Sequence, residues 1–166
     1  MSTVSRLICG LLALTAAACG SSDDGAGSAA STTAATSEKV EIRTSVSIAP
    51  TPGAEPIATG EVLEGSTLGG SAFCSGGTLR DTHGSSDPEV PLIARTITCP
   101  DGKVQMELTP DVGPDLPQGE IQTGTWTFVG GTGAFKGLSG SGEMEIANDP
   151  EGDGPAHETF TGTVTR

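Results

Sequence analysis

The segment GTWTFVGGTGAFKGLSGSGEMEI, residues 124–146, carries the clearest fold signal of the chain. Its first part places Trp126 and Phe128 between threonines, and its last part places Met144 and Ile146 two residues apart. A period of two is typical of half-buried β-strands. Between the two parts the chain carries Gly130, Gly131, Gly133, Gly137, Gly140 and Gly142. The stretch therefore predicts two strands joined by a glycine-rich connection.

The spacing of these glycines excludes a phosphate-binding loop. A Walker A loop requires Gly-Lys followed by Ser or Thr, whereas here Lys136 precedes Gly137. A dinucleotide fingerprint that starts at Gly131 and Gly133 would need its third glycine where Lys136 stands, and no helical pattern follows. We interpret the glycines instead as a structural turn with bends.

In this interpretation the connection uses positive φ angles, and the strand after it coils. The residues predicted to take positive φ are Gly130, Gly131 and Gly133. The residues predicted to let the next strand coil are Gly140 and Gly142. Phe135 and Leu138, which stand between the two groups of glycines, are expected to cover one end of the fold.

Alternation recurs along the chain outward from this stretch. It is clear in KVQMEL (103–108) and ETFTGTVT (158–165), and no segment after Cys19 has apolar residues at helical spacing over two turns. Weaker strand candidates are residues 39–48, 60–65, 76–83 and 92–99. About eight short antiparallel strands result, and they must close into a barrel or stack as two sheets. The glycine content favours an all-β barrel, with a β-sandwich as the alternative.

The segment WTFVGGTGAFKGLSGSGEMEI, followed by ETFTGTVT, resembles the closing half of the allene oxide cyclase and dirigent-like barrels, especially their small secreted bacterial relatives. The likeness covers residues 124–165, and SAFCSGGTLRD and TITCPDGKVQMEL are consistent with the upstream strands. The resemblance implies an eight-stranded antiparallel barrel with a small central cavity. Plant enzymes of this group cyclise a fatty-acid epoxide or steer the coupling of phenol radicals. This chain has no tyrosine and one tryptophan, so we transfer the fold and not the activity.

The N-terminal residues predict export. An apolar run from Leu7 to Ala18 is too short to span a bilayer, and it ends in small residues before Cys19. The AAAC sequence resembles bacterial lipoprotein signals, so we expect residues 1–18 to be removed as a signal peptide and the Cys19 thiol to carry diacylglycerol. The alternative is general cleavage and a soluble secreted protein. Residues 19–37 predict a flexible stalk, and residues 38–166 the barrel domain.

Cysteine use agrees with an extracytoplasmic location at the cell membrane or envelope, and the charge bears on the possible partners. With Cys9 in the signal and Cys19 lipidated, Cys74 and Cys99 remain as an even pair in an oxidising compartment. A disulfide is expected, with two buried free thiols as the alternative. The formal net charge of -13 disfavours nucleic acid and anionic membrane surfaces as partners. Contact with the membrane is expected through the N-terminal lipid.

Three titratable residues are candidates for a ligand pocket. Alternation places Asp81 and His83 on one face of residues 76–83 and Arg95 on the apolar face of residues 92–99. Pointing inward, these side chains would form a polar pocket suited to anion binding or acid–base chemistry. We favour the other interpretation, a position at the barrel mouth or on the surface, because a bulge breaks strand alternation.

The segment NDPEGDGPAHE concentrates carboxylates that calcium could use. EF-hand spacing fails, since the twelfth position is Phe160 and no helices flank the segment, so we expect a solvated hairpin loop. The two histidines, His83 and His157, lack the spacing of a zinc site. Neither a metal nor a cofactor is predicted. The carboxylates of the segment are Asp149, Glu151, Asp153 and Glu158.

Together these features predict a lipid-anchored envelope protein whose barrel has a non-enzymatic role in binding, structure or interaction. No nucleophile–base pair, carboxylate dyad or metal-ligand spacing is recognisable in the sequence. The alternative function is a cyclase- or isomerase-like enzyme acting on a small molecule in the barrel cavity. The ligand, the envelope partner and the oligomeric state are left open.

Overall fold

The structure is a computed structural model, and it describes residues 36–49, 57–84, 92–111, 121–152 and 154–166. The predicted signal peptide, the lipidation site Cys19 and nearly all of the predicted stalk lie outside the described residues. The elements are β1 Ser37–Ala49, β2 Ile57–Val62, β3 Thr67–Leu68, β4 Ser71–Ala72, β5 Thr78–Gly84, β6 Ile93–Cys99, β7 Gly102–Pro110, β8 Ile121–Gly131, the short 3-10 helix η1 Gly133–Phe135, β9 Ser139–Ala147 and β10 Ala156–Thr165.

Eight of these strands form a closed antiparallel barrel. Around the ring the order is β1, β2, β5, β6, β7, β8, β9 and β10, and β10 pairs back onto β1. In that closing pair Ser37 lies opposite Thr165 and Val46 lies opposite Ala156. Closure leaves no free sheet edge around the ring, so the barrel is confirmed over the sandwich.

The eight predicted strands are the eight strands of the ring. The strand expected at residues 60–65 begins about three residues earlier, since β2 spans Ile57–Val62. The strands β3 and β4, a small hairpin that pairs with β1 at Val40 and Glu41, are not predicted from the sequence. Strands of two residues are too short for alternation to be recognised.

The barrel interior is filled by the apolar residues of the alternating faces. Trp126 occupies it beside two inward glycines: Trp126 lies opposite Gly142, and a Cβ added to Gly162 would lie 2.9 Å from the indole ring. A Cβ on Gly142 would lie 1.9 Å from the carbonyl oxygen of Thr161 on β10. The glycine therefore permits a close approach of β9 and β10 that no other residue allows at this position.

One end of the barrel is covered by side chains from its tight connections. Phe135 of η1 and Leu138 are both buried, as predicted. The ring of Phe135 meets the ring of Phe73 edge to face, with centroids 5.6 Å apart. The predicted disulfide between Cys74 and Cys99 is confirmed and fixes the segment that carries Phe73 to the end of β6.

The predicted role of the first glycines is partly wrong. Gly133 takes a φ of 60° and Gly137 a φ of 79°, whereas neither Gly130 nor Gly131 has positive φ, because both belong to β8. Gly131 is needed for a different reason. A Cβ there would lie 2.2 Å from the carbonyl oxygen of Phe135, so η1 folds directly against the strand.

Candidate functional site

The barrel interior holds a charged cluster whose centre is Arg95. Arg95 and Asp81 are directly opposite each other on β6 and β5, and both side chains point inward and are buried. Arg95 donates from Nε to Oδ1 of Asp81 at 2.6 Å and from a terminal nitrogen to Oδ2 at 3.3 Å. Such a two-point contact holds both groups in a fixed orientation.

Barrel closure brings a second carboxylate to the same guanidinium. Glu158 on β10 accepts a hydrogen bond from the other terminal nitrogen of Arg95, and its Oε2 also accepts from Thr44 Oγ1 at 2.5 Å. Thr44 and Glu158 are opposite each other in the β1–β10 pair. Four residues from four strands, namely Thr44, Asp81, Arg95 and Glu158, thus form one buried network.

The network contains two carboxylates and one guanidinium, so it carries an excess negative charge when all three are ionised. Burial raises the pKa of Asp81, an effect that the hydrogen bond from Arg95 opposes and that the charge of Glu158 reinforces. Burial alone would lower the pKa of Arg95, but the charges of Glu158 and Asp81 and their hydrogen bonds raise it above its ordinary value. Arg95 therefore stays charged, and the raised pKa of Asp81 means that this carboxyl keeps its proton to a higher pH than an exposed aspartate does.

The three pocket candidates are not equivalent. Asp81 and Arg95 are inside the barrel, so the surface position that we favoured is wrong for both. The strand register shifts between Asp81 and His83, which is the kind of bulge expected to break alternation. The side chain of His83 lies outside the described residues. Whether Asp81 and Arg95 bind a ligand remains a prediction.

Glu158 is a site residue that the sequence reasoning missed. It was assigned to a solvated loop, but it is buried on β10. The sequence does contain an indication of this burial, because alternation in ETFTGTVT places Glu158 on the same strand face as Phe160 and Val164. Within the loop itself, Asp149 accepts hydrogen bonds from the backbone nitrogens of Glu151 and Gly154 at 3.3 and 2.6 Å. Asp153 lies outside the described residues.

Among the residues that the structure describes, no group of three or more His, Cys, Asp or Glu side chains is placed to hold a metal ion. In the same part of the chain, no helix has the length and apolar character needed to cross a membrane.

The outer wall of the barrel carries a groove of about 380 Å³ across β8, β9 and β10. Its sides are threonines of β8 and β10, and between them stand Glu143 and Glu145 of β9, which lie opposite those threonines in the strand register. At one end Thr123 donates a hydrogen bond of 2.6 Å to Asp111. The described residues that line it are Asp111, Thr123, Gly124, Thr125, Glu143, Met144, Glu145, Thr159 and Thr161.

Comparison with known proteins finds two similar solved structures, both of pterocarpan synthase dirigent proteins. GePTS1 is 14% identical over 80% of this chain and 89% of its own, with a TM-score of 0.48. PsPTS1 is 15% identical over 79% of this chain and 96% of its own, with a TM-score of 0.43. No family model and no curated protein matches the sequence. At these values the likeness carries no conclusion about activity, and the barrel assignment rests on the strand pairing above.

Proposed function

We propose that the chain is a lipid-anchored, extracytoplasmic β-barrel protein that binds another component of the cell envelope and does not catalyse a reaction. The observation that supports this most strongly is the mutual satisfaction of the inward charged groups. Each nitrogen of the Arg95 guanidinium donates to Asp81 or Glu158. Every buried side-chain nitrogen and oxygen of the described residues has a hydrogen-bond partner. Such a network stabilises and orients the barrel wall without needing a substrate.

The packing of the interior supports the same proposal. Trp126, Phe128, Met106 and Ile97 are each at most 4% exposed. Large apolar side chains that contact one another across a small barrel constitute its core. The disulfide between Cys74 and Cys99 fits an oxidising compartment. A binding partner should therefore contact the outer wall of the barrel.

The anchor is tested by detergent phase partitioning with Triton X-114. The native protein is expected in the detergent phase and Cys19→Ala in the aqueous phase, because the thiol that carries the lipid is gone. Cys9→Ala is the matched control: it changes a cysteine of the signal peptide and should partition like the native protein. Aqueous partitioning of the native protein would refute the anchor and favour the soluble secreted alternative.

The enzyme alternative rests on one observation: the Asp81 carboxyl is buried beside Arg95 and its pKa is raised. An isomerase could use a carboxyl and a guanidinium placed in this way. Native mass spectrometry of protein purified from the envelope separates the two functions. A mass that corresponds to the lipidated, disulfide-bonded chain alone supports the proposed function. A small molecule retained by the native protein and lost from Asp81→Asn would favour the enzyme.

A further inference from the structure

We infer that the groove across β8, β9 and β10 is a docking site for an extended, basic peptide segment of a partner protein. The inference rests on the proposed function in one respect, namely that the barrel acts through its outer wall. Three observations carry it: the concavity of this wall, the chemistry of the lining, and the lack of a neutralising cation beside Glu143 and Glu145 among the described residues.

The lining presents acceptors to a ligand. Besides four threonines, its described residues include three carboxylates, Asp111, Glu143 and Glu145, and no lysine, arginine or histidine. The side-chain carboxylates of Glu143 and Glu145 have no ion-pair or hydrogen-bond partner among the described residues. A carboxylate without a partner attracts cations, and threonine hydroxyls can accept further hydrogen bonds from an ammonium or guanidinium group.

The neighbouring strand shows that an exposed carboxylate of this wall can be neutralised within the chain. Glu41 on β1 lies in the same row, opposite Thr161, and it is paired with Arg43 at 2.5 Å. Within the part of the chain that the structure describes, Glu143 and Glu145 of β9 have no such cation, and they stand on one face, two residues apart. Like charges this close repel each other, so the arrangement is complementary to a ligand with positive charge.

The geometry indicates the form of the ligand. Positions two apart on a strand repeat at roughly 7 Å, so Glu143 and Glu145 match cationic side chains at alternate positions of an extended chain. The threonines of β8 and β10 stand on either side, about 10 Å apart across two strand spacings. A segment that lies along β9 between these rows would pair one basic side chain with each glutamate.

The test uses full-length protein and fluorescein-labelled peptides of eight residues, with binding measured by fluorescence anisotropy. One peptide alternates threonine and lysine, and the second has the same composition with the lysines in one block. The alternating peptide is expected to bind more tightly, and its affinity should fall between about 50 mM and about 300 mM salt because exposed ion pairs are screened. Equal affinity for both peptides, or no binding at low salt, would overturn the inference.

Two double variants locate the site. Glu143→Gln/Glu145→Gln should weaken binding about fivefold to tenfold, as expected for the loss of two exposed ion pairs. Glu61→Gln/Glu64→Gln removes the same charge at exposed positions of β2 and the turn after it, outside the groove lining, and should change affinity by less than about twofold. Equal weakening by both doubles would show attraction to net charge alone and would refute the site. The protein could also fail to bind the peptide and associate with itself instead. If Glu143→Gln/Glu145→Gln alone abolished that self-association, the peptide site would be refuted and the ligand of the groove would be a second copy of the chain.

These results are independent of the anchor. If the protein binds the peptide but stays in the aqueous phase, the peptide site is supported and the lipid anchor is refuted. If the protein is lipidated but does not bind the peptide, only the peptide site is refuted.

Discussion

Arg95 and Asp81 face each other across neighbouring strands and are joined by an Nε to Oδ1 hydrogen bond of 2.6 Å inside the barrel. The charges at this site do not cancel as a simple pair, because Glu158 forms an ion pair with the same guanidinium of Arg95. A buried charge is tolerated only when it is paired, and here one cation serves two anions. The stability of the barrel should therefore depend on Arg95 more than on either carboxylate.

Replacement of Arg95 by methionine is expected to cost about 3 to 5 kcal/mol in the free energy of unfolding, because two buried carboxylates lose their cation. Arg43→Met is the control, since Arg43 and Glu41 form an exposed ion pair that should contribute less than about 1 kcal/mol. Urea unfolding followed by the fluorescence of the chain's one tryptophan, the buried Trp126, measures both.

If Arg95→Met does not fold, the triple variant Arg95→Met/Asp81→Leu/Glu158→Leu keeps the prediction testable. It removes all three charges and should recover most of the lost stability. Equal destabilisation by Arg95→Met and Arg43→Met would contradict the account of the buried network.

The pH dependence of stability follows from the raised pKa of Asp81. Because the folded protein holds this proton more tightly than the unfolded chain, the contribution of Asp81 is present in full below the ordinary value of 3.8 and is lost as the pH rises through the folded pKa. The destabilisation caused by Asp81→Asn should therefore be smaller at neutral pH than near pH 3.8. Asp101→Asn, at an exposed position, is the control, and a destabilisation by Asp81→Asn that grows with pH would refute the prediction.

Loss of the disulfide should destabilise the barrel and loosen its closed end. Cys74 and Cys99 are 25 residues apart, and opening a loop of this length costs roughly 3 to 4 kcal/mol in the chain-entropy model. The double variant Cys74→Ser/Cys99→Ser should lower the denaturation midpoint accordingly, and reduction of the native protein should give the same midpoint. Agreement of the oxidised native and double-variant midpoints would show that the disulfide contributes nothing.

The close approach of β9 and β10 predicts a strong effect at Gly142. Gly142→Ala places a Cβ against the carbonyl of Thr161, so the strands must separate, at an expected cost of about 2 to 3 kcal/mol. Gly76→Ala is the comparison. Gly76 has a φ of 72° but nothing within 4 Å of its Cβ position, so only backbone strain of about 1 kcal/mol is expected there. The midpoint temperature of thermal unfolding should be lower for Gly142→Ala than for Gly76→Ala. The reverse order would contradict this explanation.

The strands and the faces of their side chains follow from local sequence patterns. Side chains alternate with a strict period of two, so a run such as TWTFV defines an inner and an outer face before any partner is known. For the same reason, alternation places Thr44 on the same face as Val40 and Ile42, and Glu158 on the same face as Phe160. This pattern indicates that both side chains point inward. The glycine-rich connection predicted the covered end of the barrel, where Phe135 and Leu138 are buried.

The contacts between inward residues of different strands depend on how the barrel closes, which no local pattern shows. Arg95 and Glu158 are 63 residues apart, and Thr44 and Glu158 are 114 apart, so no local pattern relates them. Their contact depends on the register with which β10 closes onto β1, and that register is fixed by the packing of the whole ring. Burial then requires that the charges pair, which is why the network forms only when the barrel is closed. Local alternation determines the face on which a residue lies, whereas closure determines its height along the barrel and hence its neighbours.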